Sequence, residues 1–352
     1  MPELREVFEM TTRQVEPDVD AWREQEKHQR RSSRNKRIGA FAVAAAIGLA
    51  AVVLVLVNRT EPSTNTPGTN PSPTPRITPS VPFLVDLRTG NMTPLPENIL
   101  GGSLYFTSPD STMLVYSECC GSPNRVFVAN VDGTGVRQIT QDGIDGFGAR
   151  WSPDGSTLVY QRRNGATSEI GNLFVVDVGT GETTRITDLD PAFYGGWAML
   201  PSFNPDGETI IFHMPRGPND AVSTRWDVWS VPVAGGEPTL VVRNASMGVY
   251  APDGETLAYL DSPRGDWTSS RLMLADVDGS DPENDGAVVA ARLLVEGDEI
   301  AFPRWSPDGT RIAYTDADGT HTVDVSTGET SLVTGDAGVL DWFGDDTLVV
   351  AP

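Results

Sequence analysis

The chain has 352 residues, of which 39% are hydrophobic and only 2 are cysteine, and its formal net charge is −22. A chain of this length and composition can bury a large core, which excludes a disulfide-stabilised miniprotein and a fully disordered chain. The acidic charge is concentrated in residues 83–352, which carry 15 arginines against 39 acidic residues, a net charge of −24. Because such a surface repels phosphate groups, nucleic acid and anionic membranes are excluded as partners of this segment.

Residues 1–37 are interpreted as a cytoplasmic tail. Apolar residues recur at helical spacing between Leu4 and Val15, and Pro17 ends the pattern, which predicts one short amphipathic helix. Two interpretations remain open for this tail: a solvated segment, or a docking peptide for a cytoplasmic partner.

Residues 38–57 are twenty consecutive residues without a polar side chain. At a rise of about 1.5 Å per residue they span roughly 30 Å, so they are predicted to form a transmembrane helix. The alternative, a cleaved signal peptide, has a shorter apolar core of about 7–15 residues. The positive-inside rule places the N-terminus in the cytoplasm, because six basic residues precede the helix: Lys27, Arg30, Arg31, Arg34, Lys36 and Arg37. The sequence thus predicts a single-pass plasma-membrane protein whose later residues are extracytoplasmic.

Residues 58–82 contain seven prolines, six threonines and three serines in 25 positions. Such a composition cannot form a core and predicts an extended linker with polyproline II character. The layout of tail, basic cluster and Ala-rich anchor resembles single-pass actinobacterial membrane proteins, some of which are anti-sigma factors. The 37-residue tail is too short for a folded anti-sigma domain.

A repeated segment defines residues 83–352. The sequence ARWSPDGSTLVY recurs as PSFNPDGETIIF, GVYAPDGETLAY and PRWSPDGTRIAY, with weaker copies YFTSPDSTMLVY before them and LDWFGDDTLVV after them. One aspartate is shared by all six copies: Asp110, Asp154, Asp206, Asp253, Asp308 and Asp345. Spacings of 37 to 55 residues are typical of propeller blades. The sequence therefore predicts an all-β, six-bladed β-propeller.

Each unit is predicted to hold four strands, named a to d in chain order. Strand a runs into Pro-Asp-Gly, where proline fixes φ and glycine accepts positive φ, and a β-branched strand b follows. Strand c is predicted in runs such as NLFVVDV, and a second glycine turn leads to strand d. The C-terminal segment GVLDWFGDDTLVV supplies only strands a and b, and the N-terminal segment FLVDLRTGNMTPLP supplies c and d. These two segments are predicted to pair in one blade and close the ring.

The WSPDG-x-x-IAY repeat, with its later Asp-Gly turn, resembles the WD40-like propeller repeat of the TolB family, which is shared with the propellers of tricorn and prolyl-oligopeptidase-type proteins. Four good copies carry the resemblance, which covers residues 83–352. The first copy has Ser111 in place of glycine, and the last has Gly344 in place of proline. TolB serves an outer-membrane partner system, so the resemblance implies a binding role in the cell envelope.

The sequence gives little support to a catalytic site. The peptidase relatives carry a hydrolase domain with a Gly-x-Ser-x-Gly motif, which this sequence lacks. His213 and His321 are far apart in the chain, so a histidine-based metal or acid-base site is not indicated. The repeated aspartates are interpreted as turn caps, and Trp151, Trp305 and Trp342 as packing residues between blades. The chain is therefore not expected to be an enzyme or to bind a cofactor.

An acidic stretch and a cysteine pair leave alternatives open. Five acidic residues could bind Ca²⁺, but their spacing misses the EF-hand pattern and a solvated loop is favoured: Asp276, Asp278, Asp281, Glu283 and Asp285. Cys119 and Cys120 are adjacent, and outside the membrane they form either a vicinal disulfide or two free thiols.

The b–c and d–a connections leave one face of a four-stranded propeller, and this face is predicted to bind the partner. Insertions are predicted there at 161–171, 188–200, 213–226 and 261–271. They place exposed aromatic and basic candidates on that face: Tyr194, Trp197, Arg216, Trp226, Arg264 and Trp267. Further arginines flank the b–c connections (Arg125, Arg162, Arg163, Arg225 and Arg271), while carboxylates of the d–a connections are expected around the channel mouth (Asp142, Asp145, Asp188, Asp190, Glu296, Asp298 and Glu299).

The expected function is that of an envelope binding module for an extracytoplasmic protein, peptide or cell-wall component, which could also act as a sensor through its tail. A metal-dependent, lactonase-like propeller hydrolase with its site at the channel mouth is the enzymatic alternative. A structural or assembly role in the envelope is the third interpretation.

Overall fold

The computed structural model describes residues 81–100, 102–118, 124–141, 143–164, 169–189, 198–215, 226–261, 270–277, 288–335 and 337–352. The predictions for the tail, the apolar segment 38–57 and nearly all of the linker lie outside these residues. Within the described ranges, no helix has the length and apolar character that crossing a membrane requires.

The described residues form six four-stranded antiparallel sheets. The described part of the chain begins with β1 (Phe83–Asp86) and β2 (Met92–Pro94), and a 3₁₀ turn over Glu97–Ile99 leads to the first complete blade. Blade 1 contains β3 (Gly102–Thr107), β4 (Met113–Glu118), β5 (Val126–Asn130) and β6 (Arg137–Gln138). Blade 2 contains β7 (Asp145–Trp151), β8 (Thr157–Asn164), β9 (Glu169–Asp177) and β10 (Thr183–Arg185).

The remaining blades repeat this order. Blade 3 contains β11 (Met199–Phe203), β12 (Thr209–Pro215), β13 (Trp226–Pro232) and β14 (Thr239–Val242). Blade 4 contains β15 (Ala245–Tyr250), β16 (Thr256–Asp261), β17 (Ser270–Val277) and β18 (Val288–Gly297). Blade 5 contains β19 (Ala301–Trp305), β20 (Arg311–Asp316), β21 (Gly319–Asp324) and β22 (Thr330–Gly335).

Blade 6 is built from both ends of the propeller, in the order β2, β1, β24 (Thr347–Ala351) and β23 (Gly338–Trp342). Strand β1 pairs with β24 in antiparallel register, with Phe83 opposite Val350 and Val85 opposite Leu348. These four side chains are buried in one cluster. The predictions of an all-β six-bladed propeller and of ring closure by terminal strands are therefore confirmed.

The Pro-Asp-Gly turns are held by their aspartates, as predicted. Asp154 accepts hydrogen bonds from the backbone N–H and hydroxyl of Ser156 at 3.0 and 2.9 Å, and from the hydroxyl of Ser152 at 2.6 Å. Asp308 makes the same set of contacts with Ser306 and Thr310. Because accepted hydrogen bonds stabilise the charged form, the pKa of Asp154 lies below its ordinary value. The repeated aspartates are therefore structural caps.

The tryptophans that precede these turns join neighbouring blades. The indole N–H of Trp151 donates to the carbonyl of Phe106 at 3.3 Å, and that of Trp342 donates to the carbonyl of Arg304 at 2.9 Å. The indole of Trp305 makes the equivalent bond to blade 4 at 3.2 Å. Each indole thus fixes its strand a to strand a of the preceding blade, which confirms the predicted packing role.

Candidate functional site

The two faces of the propeller differ in their connections. Strands a and b are separated by five residues in five blades, and by four in blade 6. The b–c and d–a connections vary far more, from two residues at 317–318 to thirteen at 186–198. We call the end that carries the a–b and c–d turns the tight-turn face, and the end that carries the b–c and d–a connections the long-loop face. The longest connections of the long-loop face, 186–198, 216–225 and 262–269, come from blades 2 to 4.

Most of the predicted contact residues fall within these long connections. Five of them lie outside the described residues: Tyr194, Trp197, Arg216, Arg264 and Trp267. Trp226 is described, and it begins β13 with a half-buried side chain. Its ring meets the ring of His213 edge to face, with centroids 5.1 Å apart. The strands that bound the connections fix where they leave the propeller, and the role of the six residues stays a prediction.

The insertion predicted at 161–171 is largely strand. Strand β8 continues to Asn164 and β9 starts at Glu169, so only 165–168 connect them. Several arginines predicted for the long-loop surface have intramolecular contacts instead. Arg125 binds the carboxylate of Glu118 through Nε and Nη2, and Arg271 pairs with Asp261. The guanidinium of Arg162 lies 5.0 Å from the centre of the Phe174 ring.

A buried polar cluster holds the start of the longest connection. The side-chain oxygen of Asn172 accepts hydrogen bonds from the Thr187 hydroxyl at 2.9 Å and from the Leu189 backbone N–H at 3.0 Å. The hydroxyl of Thr187 in turn accepts the backbone N–H of Leu173. Both side chains that provide these contacts, those of Asn172 and Thr187, are buried. Residues 186–189 are therefore fixed to blade 2 before the chain enters the stretch that contains Tyr194 and Trp197.

His213 is structural. Its side chain is buried, and its Nδ1 accepts the backbone N–H of Met247 in the next blade at 3.3 Å. Burial lowers the pKa of this imidazole to about 3, so it is neutral at physiological pH. The other domain histidine, His321, pairs with Asp316 at 3.0 Å and stacks on Tyr314. Both histidines therefore serve packing within or between blades.

Strands a line the propeller axis. Each strand a contacts strand a of the next blade around the full circle, from β3 to β23 and back to β3. Every strand a contains a register shift against its strand b. Directly after this shift, one residue of each strand occupies the same repeat position: Phe106, Arg150, Ser202, Val249, Arg304 and Asp341. We call these six residues the channel ring.

These register shifts are β-bulges, and five of the six share one backbone conformation. In five blades the residue two positions before the channel ring has a positive φ, between 48° and 65°: Leu104, Gly148, Leu200, Met247 and Phe302. Four of these are not glycine, and a left-handed conformation is costly for an L-residue. Bulges bend a strand and redirect its side chains, so the same device orients the channel ring in each of these blades.

Two arginines of the channel ring share one aromatic ring. The guanidinium carbon of Arg150 lies 3.0 Å from the centre of the Phe106 ring, and that of Arg304 lies 5.6 Å from it. Arg304 donates from Nε to the carbonyl of Leu340 at 3.1 Å and from Nη1 to the carbonyl of Pro303 at 2.7 Å. Burial lowers the pKa of Arg304 to about 10, and burial together with the charge of Arg304 holds the pKa of Arg150 below its ordinary value.

Asp341 is the acidic member of the channel ring. Its Oδ2 accepts the backbone N–H of Thr107 at 2.9 Å and the hydroxyl of the same residue at 3.1 Å. From the sequence, carboxylates are expected at the channel mouth and arginines on outer loops, and the charge inside the channel is not predicted. The signal was available, because Arg150, Arg304 and Asp341 each stand immediately before the tryptophan of their repeat.

The described residues contain no cluster of three or more His, Cys, Asp or Glu side chains arranged to hold a metal ion. Of the acidic stretch considered for Ca²⁺, only Asp276 is described, in β17. Cys119 and Cys120 also lie outside the described ranges.

Comparison with known proteins supports a TolB-like propeller. No family model matches the chain. A 70-residue segment is 34% identical to the Tol-Pal system protein TolB of Francisella tularensis subsp. mediasiatica, covering 20% of this chain and 14% of that protein. The structure of TolB from Acinetobacter baumannii has a TM-score of 0.51 at 14% identity, covering 77% of this chain and 63% of that one.

Enzymes share the same fold. An oligogalacturonate lyase in complex with manganese has a TM-score of 0.50 at 20% identity, covering 72% of this chain and 70% of that one. The fold is thus a TolB-like six-bladed β-propeller, a scaffold that occurs in TolB proteins and in an oligogalacturonate lyase. Function must accordingly be argued from the site.

Proposed function

We propose that the chain is a membrane-anchored binding module of the cell envelope, in which residues 38–57 span the plasma membrane and the propeller binds a protein, peptide or cell-wall component outside it. One observation carries the proposal. Apart from the ten-residue connection 278–287 of blade 4, the connections of the tight-turn face are four to six residues long, whereas the long-loop face carries connections of thirteen, ten and eight residues on blades 2 to 4. Variable loops on a rigid scaffold are the usual location of a binding site.

Composition supports the same face. The connections at 186–198, 216–225 and 262–269 contain Tyr194, Trp197, Arg216, Arg264 and Trp267. Tyrosine, tryptophan and arginine supply much of the binding energy of protein interfaces, because they bury large areas and also form hydrogen bonds. The polar cluster around Asn172 fixes the start of one of these connections, which limits the entropy lost on binding.

The relatives agree with this role in general terms. The relative from Francisella tularensis belongs to the Tol-Pal system by its name. The structure of TolB from Acinetobacter baumannii shares the propeller fold. From this likeness we infer for the present chain only a role in binding at the envelope. The tail of residues 1–37 would then face the cytoplasm, where it could carry a signal from the bound propeller.

Proximity labelling from the full-length chain in its native membrane tests the proposal. A labelling enzyme fused to the C-terminus is compared between the wild type and the double variant Trp197→Ala, Trp267→Ala. The matched control is Glu182→Ala, Glu329→Ala, which changes two exposed side chains in c–d turns of the tight-turn face. We expect the tryptophan variant to lose at least one extracytoplasmic neighbour that the wild type and the control both label.

A further inference from the structure

The channel ring carries unbalanced positive charge. It contains Arg150 and Arg304 but only one carboxylate, Asp341, so its formal charge is +1 inside a domain of net charge −24. One oxygen of the Asp341 carboxylate, Oδ2, already accepts hydrogen bonds from the backbone N–H and the hydroxyl of Thr107. A buried positive charge without a full counter-charge is costly, and proteins normally pair it.

One donor of this cluster has no acceptor. Nη1 of Arg150 is out of contact with solvent and has no hydrogen-bond partner among the described residues. Its guanidinium is held in place by the face of Phe106, on which it lies at 3.0 Å. Arg304 differs, because its Nε and Nη1 both donate to backbone carbonyls. Buried donors in native proteins are almost always satisfied, so an unsatisfied one calls for an acceptor.

The channel ring is partly open to solvent. Arg150, Ser202, Val249 and Asp341 all retain partial solvent exposure, although Phe106 and Arg304 are buried. The positions stand one residue before the last residue of each strand a, close to the tight-turn face. The site therefore lies apart from the loops assigned to partner binding above.

We propose that Arg150 and Arg304 form an anion subsite in the channel, which takes a carboxylate group. A carboxylate offers planar pairs of acceptors that match the planar donor fork of arginine. It would accept the unpartnered N–H of Arg150 and neutralise the excess charge of the ring. Two sources share this chemistry, a free small carboxylate and an acidic segment of a protein that enters the channel.

Binding of citrate and of hexaglutamate to the full-length protein in detergent tests the subsite. Isothermal titration and the shift of the thermal unfolding midpoint are measured, with sodium chloride at equal ionic strength as the reference. Arg150→Gln and Arg304→Gln are expected to weaken binding at least tenfold. The control Arg88→Gln removes one positive charge from a side chain that is 76% exposed and pairs with Asp346, and it should leave binding unchanged.

The variant Asp341→Asn keeps both arginines and the size of the side chain, so it guards against loss of folding in the arginine variants. It removes the competing carboxylate, and we expect it to tighten citrate binding severalfold. Tighter binding of hexaglutamate than of citrate would identify a protein segment as the source, and the reverse order a free carboxylate. Equal binding by wild type, Arg150→Gln and Asp341→Asn, or no binding of either probe, would overturn the subsite.

Discussion

Ser111 occupies a backbone position that four other blades give to glycine. Its φ is +56°, against +70° to +74° at the equivalent residues Gly155, Gly207, Gly254 and Gly309. The turn is otherwise conserved in its contacts, since the backbone N–H of Ser111 donates to the carbonyl of Ser108 at 2.8 Å, as Gly155 does to Ser152 at 2.9 Å. Blade 1 therefore carries a strain that the repeat avoids elsewhere.

Replacing this serine by glycine should stabilise the protein. The left-handed conformation costs an L-residue about 1–2 kcal/mol, and the greater unfolded-state entropy of glycine offsets part of that. We expect Ser111→Gly to raise the free energy of unfolding by about 0.5–1 kcal/mol, measured by urea denaturation.

The reciprocal variant Gly155→Ser should lower the unfolding free energy by about 1 kcal/mol. A Cβ at 155 would meet only Pro109 Cδ, at 3.8 Å, so the cost is conformational rather than steric. A loss of stability in Ser111→Gly would show that the serine side chain makes a compensating contact in blade 1.

His213 makes the stability depend on pH. Its pKa is about 3 in the folded state because of burial, and about 6.5 in an unfolded chain. Between these values the unfolded state binds more protons than the folded state, so stability rises with pH across this window and falls on acidification. The slope from this group is at most about 1.4 kcal/mol per pH unit.

The variant His213→Gln isolates this effect, since glutamine can also accept the Met247 N–H but does not titrate. Unfolding free energies of both proteins are measured at pH 6.5, 5.5 and 4.5. We expect the wild type to lose more stability than the variant over this range. Parallel curves would mean that the imidazole is protonated without cost, and therefore that it is not buried as described.

At the level of elements, closure of the ring depends on the pairing of β1 with β24. Phe83 lies opposite Val350 and is 1% exposed, in the cluster that also contains Trp342. Truncating a buried phenylalanine costs about 3–5 kcal/mol through lost burial and the cavity left behind. Phe83→Ala should therefore lower the free energy of unfolding by this amount.

Met92→Ala is the matched control, because this side chain lies in the adjacent strand β2 and is 44% exposed. It should change stability by less than about 0.5 kcal/mol. Equal effects of the two substitutions, in the same urea titration, would show that β1 is not packed between β24 and β2.

The elements were predictable because each blade repeats the same local chemistry. Pro-Asp-Gly turns, the alternating strands and the unpaired half-blades at both ends of the domain sufficed to predict the six sheets and their closure. The bulges in strands a were not predictable, since Leu104, Leu200, Met247 and Phe302 are not residues that mark positive φ. The channel ring was not predictable either, because it is formed by contacts between strands a of different blades, and a single repeat does not contain these contacts.

At the scale of the whole molecule, the sign of the charge differs between the propeller as a whole and its axis. The domain has a net charge of −24, yet Arg150 and Arg304 lie at its axis, and other arginines are paired with neighbours such as Glu118 and Asp261. The acidic exterior repels nucleic acid, whereas the two arginines at the axis provide a local positive site for a carboxylate group. The candidate contact residues could be predicted as members of long connections, but not as a formed surface, since loop conformation depends on packing that the repeat does not encode.

The set of neighbours labelled by the full-length chain in its native membrane shows directly whether the long-loop face binds a partner outside the membrane. We expect the double variant Trp197→Ala, Trp267→Ala to lose at least one extracytoplasmic neighbour, and the control Glu182→Ala, Glu329→Ala to lose none at equal expression. The same neighbours around the wild type and the tryptophan variant, or only cytoplasmic neighbours around the C-terminal label, would contradict a partner-binding long-loop face outside the membrane.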